Sequence, residues 1–116
     1  MKQPKYCLKL FLTIVLVIIS LLLQSCYGLA QKGAMIKAYK AFEKDECSVV
    51  MKKLSQAESY KDPSAALKAE ISYLRAQCLE KQSKFREAIG IYNYIISTFP
   101  QSEYAFRAKE RIQALE

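Results

Sequence analysis

An all-α architecture follows from three features of the 116-residue chain. Between Gly33 and Gly90 there is no glycine, and beyond Pro4 the only prolines are Pro63 and Pro100, so long stretches lack the residues that interrupt helices. No segment alternates apolar and polar residues between turn signals, as a half-buried strand would. Apolar residues recur instead at helical spacing, as in the stripe Phe85, Ile89, Tyr92, Ile96 at i, i+4, i+7 and i+11.

The first element is a leader. Lys2, Lys5 and Lys9 precede fourteen residues, Leu10 to Leu23, interrupted only by Thr13 and Ser20, which is the charged and then apolar order of a signal peptide. Fourteen helical residues rise about 21 Å, short of the roughly 30 Å of hydrocarbon in a bilayer. The run closes on Leu23-Gln24-Ser25-Cys26. That tetrapeptide resembles the lipobox of bacterial lipoproteins, with a branched apolar residue three before the cysteine and a small one directly before it. The resemblance implies cleavage after residue 25, diacylation of Cys26 and acyl-chain anchoring, each buried CH2 contributing about 0.8 kcal/mol. It also implies the periplasmic side of the outer membrane, because Tyr27 stands where an inner-membrane retention Asp would be. The alternative is an inner-membrane anchor, a helix continued to Ala30 that makes a 21-residue span.

Residues 26–33 read as a short linker and residues 34–116 as a single helical domain, with helices near 31–44, 47–60, 63–82, 85–99 and 102–115. Asp62-Pro63 reads as an N-cap followed by proline in the first turn of the third helix, and Ser102 reads as the cap of the fifth. Ala105, Ala108, Ile112 and Leu115 lie on or near one face of that last helix.

Small Ala76 and Ala88 on consecutive helices permit a close antiparallel crossing, with the larger stripe filling the space beside it. The stretch Tyr73 to Pro100 thereby resembles a tetratricopeptide repeat, and Thr98-Phe-Pro-Gln-Ser-Glu-Tyr-Ala-Phe-Arg-Ala-Lys109 is similar to repeat variants of envelope lipoproteins and periplasmic proteins. An offset of 38 maps Ala76, Ala88, Ile89, Tyr92 and Ile95 onto Ala38, Val50, Met51, Leu54 and Ala57. Two tetratricopeptide-like hairpins plus a C-terminal capping helix are expected. The offset exceeds the usual period of about 34, which places a longer connection near Ser59 to Ser64.

Composition bounds the chemistry. Net charge is +7 for the whole chain and +4 without the three leader lysines. The basic residues are mixed with acids along the helices, which argues for a solvated surface and against a nucleic-acid stripe. There is no histidine, which removes the commonest general base, His-activated nucleophiles and His-metal sites. Two domain cysteines without further ligands do not make a zinc site. Glu43, Asp45 and Glu46 read as a solvated helix junction. Neither an enzyme, a cofactor, a metal nor a small-molecule substrate is expected. Cys47 and Cys78 are open to two readings, a disulfide in an oxidising compartment or two small buried hydrophobes.

The repeat resemblance implies a groove along the first helices of successive units, lined by Met35, Tyr39, Phe42 and Glu43 and by Tyr73, Gln77, Glu80 and Lys81, that receives a peptide or a partner helix. The competing reading makes Tyr39, Phe42 and Tyr73 lids on a small core. Two units are fewer than the roughly three that such arrays usually need. Completion by a protein partner or by a second copy is therefore expected, with the chain acting as an envelope adaptor or as a self-associating lipoprotein.

Overall fold

The computed structural model describes residues 4–116. Among these it holds five α-helices and no strand: α1 Pro4–Glu43, α2 Cys47–Tyr60, α3 Ala65–Lys81, α4 Phe85–Thr98 and α5 Glu103–Leu115. The last third of α1 packs on α2, α3 packs on α4, and α5 lies against α4 and α3.

Helix α1 differs most from expectation. The anticipated linker at 26–33 is helical, and a single helix of 40 residues joins the leader to the domain. Gly28 and Gly33 each cost a helix only about 1 kcal/mol relative to alanine, and no proline or competing cap intervenes. Burial changes along its length. Apart from Val15, the large apolar side chains from Leu8 to Leu23 are about half exposed or more, whereas Gln31, Ala34, Met35, Ala38 and Ala41 are buried.

The core has two lobes that meet on α3. Ile71, Leu74 and Cys78 face Ala34, Met35, Ala38, Ala41, Cys47, Val50, Leu54 and Ala57. Ala69, Tyr73 and Ala76 face Ala88, Tyr92, Ile95, Ala105 and Ala108. Both sets on α3 follow helical spacing, so this helix is apolar on two faces and serves as the shared wall. Leu54, Tyr92 and Ile95 are completely buried.

The offset of 38 seen in the sequence governs the backbone. Glu43 and Lys81 end their helices, and Cys47 and Phe85 begin the next. The intervening turns share one hydrogen-bond pattern: Lys44 N–H donates to Ala41 O (3.1 Å) as Gln82 N–H does to Leu79 O (3.1 Å), and Glu46 N–H to Ala41 O (2.9 Å) as Lys84 N–H to Leu79 O (2.9 Å). Asp45 and Ser83, again 38 apart, both take φ of 60°. Ser64 caps α3 by accepting from Leu67 N–H and Ser102 caps α5 by accepting from Ala105 N–H, each at 3.2 Å. The connections before these two caps are equally short, so no long connection follows the first unit.

Two local expectations are corrected. Ser64, not Asp62, is the N-cap of α3; Pro63 lies outside the helix and is buried. Proline disfavours helical geometry in the residue before it, and Asp62 instead pairs with Lys68 at 3.0 Å. The buried face of α4 is Ala88, Tyr92 and Ile95, with Phe85 left 46% exposed beside the turn. The face is set by the close crossing at Ala88, which turns Phe85 toward solvent. Ala105, Ala108, Ile112 and Leu115 of α5 all pack on the second lobe.

Candidate functional site

Helices α1, α3 and α5 bring side chains together at one cleft. Phe42 from α1, Gln77, Glu80 and Lys81 from α3 and Arg111 from α5 line an open cleft of about 320 Å³. Four of the eight residues expected in a groove are therefore neighbours.

The cleft is built from two charged pairs over an aromatic floor. Lys81 Nζ sits 4.1 Å from the centroid of the Phe42 ring, donates to Phe42 O at 3.2 Å and pairs with Asp45. A cation over a ring face gains about 0.5–1 kcal/mol at exposed sites. Here it is also the second donor to the Phe42 carbonyl at the end of α1, which accepts from Asp45 N–H at 3.1 Å as well. The carboxylate of Glu80 accepts from Tyr92 Oη and from Arg111, whose Nε lies 3.1 Å from Oε1. Burial pushes the Glu80 carboxyl up, but the hydrogen bonds from Arg111 and Tyr92 and the guanidinium charge outweigh it and hold the group below its ordinary value. Burial, then the hydrogen bond to Glu80, pushes the Tyr92 hydroxyl well above the usual phenol range.

The other expected groove residues go elsewhere. Met35 (7% exposed) and Tyr73 (8%) belong to the two core lobes. Tyr73 stacks obliquely on Tyr92 and Tyr104, with ring centroids 5.6 and 5.5 Å away. Both are drawn inward because the first helix of each unit must also fill the crossing with its mate. Tyr39 is partly exposed beside the cleft, and its hydroxyl donates to Glu70 Oε1 at 2.6 Å. Burial, followed by that bond, raises its pKa far above the usual phenol value. Glu43 is exposed and does not line the cleft.

Arg111 and Tyr92 were missed as site residues. The offset would have found Arg111, which lies 38 beyond Tyr73 and 76 beyond Met35, had it been carried into the last helix.

Cys47 and Cys78 form a disulfide with Cα atoms 5.5 Å apart, joining the start of α2 to the end of α3. Cys26 is free and exposed on α1. Among the described residues no group of three or more His, Cys, Asp or Glu is placed to hold a metal ion. No family model matches the chain, and no curated protein or solved structure matches it either.

The cleft presents one aromatic face and one amide, while its two cations and its carboxylate are each held in an internal pair, Lys81 with Asp45 and Arg111 with Glu80.

Proposed function

We propose that this chain is a lipid-anchored adaptor of the bacterial envelope, a tetratricopeptide-like domain that faces the periplasm from the outer membrane and holds a protein partner. The single observation that carries the reading is the cleft itself. Phe42, Gln77, Lys81 and Arg111 converge from α1, α3 and α5. Support for the anchor comes from α1. It is long and apolar enough to cross a membrane, a property shared by a cleaved leader and a retained span, and Cys26 lies exposed on it. Cleavage before Cys26 and acylation there account for the thiol at the end of the apolar run.

A photo-crosslinking residue placed at Gln77 in living cells tests the adaptor role. A heterologous adduct that disappears in Lys81→Glu and Phe42→Ala is expected. A homodimer adduct would instead establish self-association, which Phe106, 66% exposed on α5, favours. A palmitate analogue should label the wild type and not Cys26→Ser. An uncleaved and unlabelled chain would leave a spanning anchor as the attachment.

A further inference from the structure

The core-facing stripe of α1 does not stop where the domain stops. Gln31, Ala34, Met35, Ala38 and Ala41 pack inward, and the same face continues back at helical spacing through Tyr27 and Gln24. Helix α2 does not accompany it, because it ends at Tyr60.

Gln31 fixes this junction. Among the described residues it is the one buried polar side chain, and its Nε2 donates to Ala57 O at 2.9 Å and Lys61 O at 2.8 Å. Both are carbonyls at the C-terminal end of α2, where intrahelical donors run out. The end of α2 is therefore clamped to α1 one turn above Tyr27, about 6 Å along the helix axis. Below the clamp, Gln24, Tyr27, Tyr60 and Lys61 line a cleft of about 300 Å³. Tyr27 is 53% and Tyr60 38% exposed. Lys61 makes no ion pair among the described residues, and the neighbouring Asp62 is occupied by Lys68.

We infer that Tyr27, Tyr60 and Lys61 form a seat for the headgroup layer of the bilayer, fixing how the domain stands on the membrane. The inference rests on the membrane placement of the apolar half of α1 proposed above. It holds for an acylated Cys26, where Tyr27 follows the anchor directly and Gln24 leaves with the leader, and for a span retained to Ala30, where Tyr27 lies in its last turn. Two amphipathic phenols and an unpaired ammonium at the end of an apolar helix suit the interface, where aromatic rings sit at headgroup level and lysine meets phosphate. The clamp keeps Tyr60 and Lys61 at that level.

The chain contains no tryptophan, so a single introduced indole reports on position. Full chain carrying its native anchor is placed in phosphatidylcholine vesicles with and without phosphatidylglycerol, with a spin label on the lipid headgroup. Tyr60→Trp should be quenched at least twofold more than Phe85→Trp, which lies at the opposite end of the domain, and should be the less accessible of the two to aqueous iodide. Lys61→Trp repeats the measurement at an exposed position should Tyr60→Trp disturb α2. Lys61→Glu combined with Tyr60→Trp should reduce the quenching, most strongly with phosphatidylglycerol present. Equal quenching at positions 60, 61 and 85 in protein that floats with the vesicles would overturn the seat and leave the anchor standing. Failure to float would overturn the membrane placement and the seat with it.

Discussion

At the scale of single residues, the sequence is least transparent where backbone geometry is set by what lies around it. Ser83 takes φ of 60°, a region that disfavours side chains other than those of glycine and asparagine. Nothing in the identity of serine announces this; the turn imposes it by returning Ser83 N–H to Glu80 O at 2.8 Å. Ser83→Gly should therefore raise stability by up to about 1 kcal/mol, read as an upward shift in thermal midpoint, part of the gain being offset by the freer unfolded chain. Asp45 has the same φ, but its carboxylate pairs with Lys81, so replacing it removes an interaction as well as strain. Glu80 makes a second prediction. Its folded pKa is lowered from 4.5, so its contribution is present above that value and is lost as the pH falls through the lowered one. Glu80→Gln should destabilise the protein by about 1–2 kcal/mol at pH 7. The gap between variant and wild type should close in melts taken progressively below pH 4.5.

At the scale of elements, four of the five helices were legible to within about two residues, because apolar spacing marks them and Ser102 caps the last, although the start of α3 was read at Pro63 rather than after Ser64. Helix α1 was not. Its leader has the composition of a segment destined for removal, and Gly28 and Gly33 suggest a loosening that neither enforces. What joins its two halves is Gln31, a polar residue in a core position whose partners lie 26 and 30 residues away in sequence. No local pattern reveals such a contact. Gln31→Leu would leave the carbonyls of Ala57 and Lys61 without their donor, and we expect a loss of about 1–3 kcal/mol in thermal unfolding of the detergent-solubilised chain. Amide exchange should rise first in the last two turns of α2, while α4 and α5 stay protected.

At the scale of the molecule, the regular offset of 38 makes the domain a short linear array whose core is shared between neighbours. Such arrays draw stability from nearest-neighbour interfaces, and α3 supplies both. Of the eight residues expected in a groove, the four that share the cleft, Phe42, Gln77, Glu80 and Lys81, lie toward the ends of α1 and α3, where side chains have left the crossing. Met35 and Tyr73 lie where each helix meets its mate and are buried there, while Glu43 stands exposed at the end of α1. For Met35 and Tyr73 the difference is depth along the helix, which periodicity alone does not encode. The disulfide joins α2 to α3 at the end away from the apolar half of α1. Reduction, or Cys47→Ala with Cys78→Ala, should lower stability by about 2–4 kcal/mol, measured as a drop in midpoint on adding reductant to wild type and as no further drop in the double variant.

That same covalent strap encloses the Lys61–Ser64 connection within its loop. A protease that clips the chain there leaves two fragments still tied through sulfur, one holding α1 and α2 and the other α3, α4 and α5. On a gel without thiol the nicked protein migrates as one species, and with thiol as two. Parting the second fragment from the first thus requires two chemically distinct events, a hydrolysis and a reduction.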